Sequence, residues 1–155
     1  MKKELEESKE LAELAEKVIK EEELNFGETR IGYLLVHPNI SKTTIGRCIR
    51  TNKELKFFSD FDYIIEMSRE IWDQLDDKVK HILMLHELLH IHIEIDEKTN
   101  EIKYLLKDHD VKDFLIIIKK YGIEWFSSLK TQVASIYEFE KEEDRILTLI
   151  AEEEK

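Results

Sequence analysis

Val79-Lys80-His81-Ile82-Leu83-Met84-Leu85-His86-Glu87-Leu88-Leu89-His90-Ile91 is the stretch on which the reading of this chain turns. It contains no Gly or Pro and is apolar at helical spacing, so it predicts a buried helix. Within it, His86-Glu87-Leu88-Leu89-His90 spells HExxH. Side chains four apart on a helix share a face, so His86 and His90 can grip one metal ion. Glu87 sits one step round, where its carboxylate can reach a water beside that ion. These residue types at this spacing point to zinc-assisted hydrolysis with Glu87 as the catalytic base. A shuffled chain of this composition contains HExxH about once in thirty. The setting argues against chance: the motif reads as mid-helix, framed by Ile82, Leu83, Leu85, Leu88 and Leu89. A Glu87 buried there without a metal partner would be costly to ionise.

Catalytic zinc usually takes three protein ligands, and four candidates compete for the third place. Asp96 stands where HExxHxxGxxH would put a ligand, but Ile93 replaces the glycine that the tight turn needs. A glutamate on a later helix has no isolated, inward-facing representative. His92 follows His90 too closely for the same helix face, and an alternating strand would point it away. His109 lies nineteen residues beyond His90, a gap that a hairpin can carry out and back. Asp108 and Asp110 flank it, and Asp110 with Asp113 has the form of a helix-capping pair. Either flanking acid can orient a ligand imidazole, which makes Asp110 a candidate outer partner. His109 is the favoured third ligand beside His86 and His90. His81 falls off the ligand face, and His37 precedes the only proline in a turn, exposed to solvent.

Moving back from the motif, Asp76 or Asp77 can cap its helix. Ser68 can cap a short helical turn over Arg69–Leu75. Tyr63–Met67, Thr43–Arg50 and Arg30–Val36 read as strands, with Gly46 a candidate bulge. Leu55–Phe58 reads as extended or loop-like. Residues 3–24 carry Leu5, Leu11, Leu14, Ala15, Val18 and Ile19 at helical spacing, predicting an amphipathic helix packed on the domain or on a partner. Moving forward, residues 91–106 alternate as a hairpin, Val111–Tyr121 reads as a helix closed by Gly122, and Gln132–Glu154 as a charged helix. The expected organisation is one domain over 1–155: an N-terminal helix (1–25), a core (27–125) and a C-terminal helix (130–155). The fold class is α+β, zincin-like, with a small mixed or antiparallel sheet packed on the HExxH helix.

A chain of 155 residues is one domain by size, with enough length for a core. Its net charge is −11. Residues 1–25 hold nine Glu against five Lys, and residues 138–155 hold eight acids against three bases, so the segment between them is near neutral. No basic patch suits a phosphate backbone, which disfavours nucleic acid as the main ligand. No apolar run approaches the roughly 20 residues of a membrane span, and the charged N-terminus does not read as a secretory leader. The single cysteine, Cys48, excludes an internal disulfide and a four-cysteine zinc ribbon and fits the cytoplasm.

Tyr63–Met67, Ile71-Trp72-Asp73-Gln74-Leu75, Leu85-His86-Glu87-Leu88-Leu89-His90-Ile91 and His109-Asp110-Val111-Lys112-Asp113-Phe114 together resemble the phage metallopeptidase family, whose HExxH helix is followed by an HDVxDF-like segment. The resemblance covers about residues 27–125. That family is similar in turn to SprT-like zincins. The resemblance implies His86, His90 and His109 as Zn2+ ligands, Glu87 as base, and a protein or peptide substrate in a bacterial or phage-infected cell. Single Cys48 departs from the zinc ribbon common in SprT-like proteins. Tyr104, Tyr121 and Tyr137 are candidates for stabilising an oxyanion. A second reading is a metal-stabilised interaction or regulatory module without turnover, which the acidic ends suit equally well.

Overall fold

The computed structural model describes residues 3–41 and 44–107. The expected helices over Val111–Tyr121 and Gln132–Glu154 lie outside the described residues, as do His109, Asp110, Tyr121 and Tyr137. The chain starts with strand β1 (Glu4–Glu7) and helix α1 (Lys9–Glu21), where one continuous helix is expected from composition. Ser8 marks the change: its backbone is extended, and its Oγ accepts the Leu11 N–H at 3.2 Å as an N-cap. β2 (Ile31–His37), β3 (Gly46–Arg50) and β4 (Tyr63–Ser68) follow the expected strands closely. Between β3 and β4 the chain forms helix α2 (Lys53–Ser59) rather than an extended segment. Asn52 caps it, accepting the Leu55 N–H at 2.7 Å. α3 (Arg69–Asp73) leads to α4 (Asp77–Leu88), which carries the motif, and then to the hairpin of β5 (Ile91–Ile95) and β6 (Ile102–Leu106).

The first four strands form a mixed sheet in the order β1-β2-β4-β3. β2 and β4 are parallel; β1 and β3 pair antiparallel at the two edges. Register decides the faces. Tyr33, Ile65 and Cys48 stand in one row across β2, β4 and β3, and Leu35, Met67 and Gly46 in the next. This face meets the helices: Leu35, Ile65 and Met67 join Leu11, Ala15 and Val18 of α1 and most of α4 in one buried cluster. α1 packs on β2 and α4, and α4 packs on α1 and β3. α4 is buried at Val79 and continuously from Ile82 through Leu88, with Lys80 and His81 partly exposed on its first turns. On the opposite sheet face, Glu66 is buried and paired with Arg47 at 2.6 Å.

Gly46 is not a bulge. It pairs regularly with Met67, and a Cβ there would meet the Met67 sulfur at 2.6 Å. Ser68 sits at the N-cap position of α3 but does not cap it; its Oγ donates to Thr44 O and accepts from Ile40 N–H. Asp76 does cap α4, accepting from Val79 N–H at 2.9 Å. No helix among the described residues is long and apolar enough to cross a membrane.

Candidate metal centre

His86 and Glu87 lie in the last turn of α4, and His90 lies just past it. The motif therefore ends the helix rather than sitting within it. The Leu89 N–H still bonds Leu85 O, while the His90 N–H bonds Glu87 O, three residues back, in a tightened final turn. This places both imidazoles at the carbonyl end of α4, where the helix dipole favours a cation. It also lets β5 begin at once, so the hairpin springs directly from the ligand helix.

The two rings stand 5.2 Å apart by centroid and nearly perpendicular, at 89°. His86, Glu87 and His90 each offer one donor atom, all within 4.8 Å of one another, and they form the metal-capable group among the described residues. Two nitrogens on one tetrahedral zinc sit about 3.3 Å apart, so modest side-chain rotation closes the set around an ion. His86 and Glu87 are each only 5% exposed. The Glu87 Oε1 is 3.9 Å from His86 Nε2, too long for a direct hydrogen bond.

His90 is held by the returning strand. Its Nδ1 lies 2.6 Å from Lys107 O. A carbonyl oxygen only accepts, so Nδ1 carries the hydrogen, and the lone pair of the neutral ring sits on Nε2. An imidazole oriented through one nitrogen and presenting the other is the usual state of a metal-ligating histidine. The Lys107 N–H also donates to His90 O at 2.7 Å, so residue 107 is stitched to residue 90 through both backbone and ring. The donor set and its tautomer fit a zinc-type ion.

The competing positions fall elsewhere. Asp96 is at the hairpin tip, six residues and about 20 Å of strand from His90, where its Oδ1 accepts the Lys98 N–H. His92 is exposed on β5, 3.4 Å from Glu94. His81 pairs with Glu22 at 3.1 Å, joining α4 to the end of α1. His37 pairs with Glu6 at 2.7 Å. Tyr104 is a packing residue: its ring stands edge-on to Tyr63 at 5.9 Å, with the Lys56 ammonium 4.9 Å from its centroid.

Sequence reasoning did not single out Lys107, because its contribution is a backbone carbonyl. It also passed over the flank of the site formed by β3. Burial pushes the Cys48 thiol upward, and the nearby Glu87 carboxylate adds to the shift. β3, one of the two edge strands of the sheet, packs directly on α4, the helix that carries Glu87.

Fold and site together define a small α+β domain of zincin-like type, with a metal-capable His-Glu-His group at the end of its central helix. The chain belongs to the family described as "putative phage metallopeptidase", whose model matches residues 3–138. No curated protein and no solved structure matches it.

Proposed function

We propose that this protein is a phage- or prophage-encoded, zinc-dependent peptidase of the cytoplasm, with His86, His90 and His109 as ligands and Glu87 as general base. The observation that carries the reading is the His90 ring, oriented by Lys107 O so that Nε2 is the ligand nitrogen. The same contact supports His109. Residue 107 is bonded to residue 90, and His109 follows it by two positions in the sequence. Asp110 would then orient the His109 ring.

When bound, zinc supplies a Lewis acid that lowers the pKa of water towards about 7. The protein's own part is proton transfer and alignment. Glu87 takes a proton from the attacking water and delivers it to the leaving amine. Its burial keeps bulk water away from that exchange. Substrate alignment falls to β3. Arg47 and Ile49 face β4 through their backbone groups, as the Thr51 N–H bond to Asp62 O fixes by alternation. Gly46, Cys48 and Arg50 therefore turn their N–H and C=O groups outward. An extended peptide can add to that edge.

Bound metal and peptide cleavage measured on wild type, Glu87→Gln and His109→Ala test the proposal. Glu87→Gln is expected to keep its zinc and lose cleavage by about 10²–10⁴-fold. His109→Ala is expected to lose both. Undiminished cleavage by Glu87→Gln overturns the assignment. One observation favours the second reading, a metal-stabilised interaction module: Phe57 and Phe58 on α2 are 83% and 85% exposed. Stoichiometric zinc with no cleavage across a broad peptide panel would support it.

A further inference from the structure

Tyr63 opens β4 at the end of the sheet nearest the hairpin and is fully buried. Its hydroxyl leaves the sheet and reaches the hairpin root, lying 2.6 Å from Leu105 O and 3.2 Å from His92 O. His92 and Leu105 are direct cross-strand partners, and each stands two residues from the pair His90 and Lys107. One phenol thus clasps both strands of the hairpin immediately beside the rung that orients the His90 ring. Neighbouring contacts act at the same place. The Tyr104 ring packs edge-on against Tyr63, and Arg50, opposite Tyr63 on β3, donates to Tyr104 O at 3.2 Å.

We infer that Tyr63 is a positioning residue for the metal centre: its hydroxyl sets where the hairpin root sits against the sheet, and so the aim of His90. The inference rests on the metal-site reading above. A two-stranded hairpin is marginal alone, so its placement depends on what anchors it to the body of the domain. His92 and Leu105 form a hydrogen-bonded pair of the ladder, as the Lys107 N–H bond to His90 O and the Asp96 N–H bond to Glu101 O fix by alternation, so both carbonyls keep those donors when the phenolic oxygen is removed. What is lost is the bond that ties the hairpin root to the sheet, and the root is then free to shift against β4. Metal–ligand distances tolerate about 0.2 Å, so a small shift at residue 107 is felt at the ion.

The test is Tyr63→Phe, followed by zinc affinity in chelator competition, the visible spectrum of the Co2+-loaded protein, and far-ultraviolet circular dichroism. Zinc affinity is expected to fall about tenfold and the Co2+ bands to shift while the dichroism stays that of wild type. Tyr63→4-aminophenylalanine, which donates from the same place, is expected to restore both. A folded Tyr63→Phe with wild-type affinity and spectrum overturns this inference and leaves the ligand set standing. Wild type that takes up neither Zn2+ nor Co2+ overturns both. Should Tyr63→Phe not fold, Arg50→Met on the exposed strand end carries the test. A shifted Co2+ spectrum and weaker zinc binding support the inference; unchanged values overturn it.

Discussion

Gly46→Ala adds one methyl group where β3 crosses Met67, and the structure says what that methyl meets. The new Cβ would lie 2.6 Å from Met67 Sδ, 3.3 Å from Glu66 O and 3.4 Å from Met67 Cε. Met67 is fully buried, so its sulfur has no solvent to swing into. Forcing an extra carbon into a packed core costs about 1–3 kcal/mol. Replacing a strand glycine returns up to about 1 kcal/mol of backbone entropy. The net loss is about 1–2 kcal/mol, or about 2–8 °C in Tm for a chain of this size. Urea denaturation of the single variants and the double variant completes the cycle. Met67→Ala alone should cost about 2–5 kcal/mol. In the double variant the added methyl occupies space the sulfur left, so the two losses should fall short of their sum by about 1–2 kcal/mol. A Gly46→Ala protein as stable as wild type, or strictly additive losses, would refute the steric account of this glycine.

Two further outcomes follow from caps and buried phenols. Ser8→Ala removes the oxygen that accepts the Leu11 N–H and should cost about 1 kcal/mol, seen as a Tm lower by about 2–4 °C; an unchanged Tm would count against Ser8 as the cap. Burial pushes the Tyr63 phenol from an ordinary 10 up to about 12, so the folded state holds a proton that the unfolded chain has lost between those values. That stabilisation is complete below about pH 10 and disappears as pH rises through about 12, so the urea midpoint should fall across this window; a flat midpoint would contradict it.

Much of the core was legible because its signals are local. β2 and β4 carry β-branched and aromatic residues, and α4 combines an aspartate cap with an unbroken apolar run. β1 was hidden, since Glu4-Leu5-Glu6-Glu7 belongs by propensity to the helix that follows. Pairing with β2 overrides that preference, and Ser8 with the Leu11 N–H is the only local mark of the boundary. α2 was missed for the opposite reason. Leu55, Phe57 and Phe58 read as extended, while Asn52 is the cap that starts the helix. Its Lys56 fastens it to the domain, 2.5 Å from Asp62. At the site, His86, Glu87 and His90 were visible because their chemistry lies in their side chains. The Lys107 carbonyl and the Tyr63 clasp were not, because a backbone acceptor has no residue signature and a buried phenol reads as core.

The central claim is best tested by crystallography of the zinc-loaded protein, with anomalous scattering recorded at the zinc edge. The account predicts one peak, about 2.0–2.1 Å from a nitrogen of each of His86, His90 and His109, with Glu87 beside the remaining position and not bound. A peak whose third protein donor is some other residue, or no peak at His86 and His90, would contradict it.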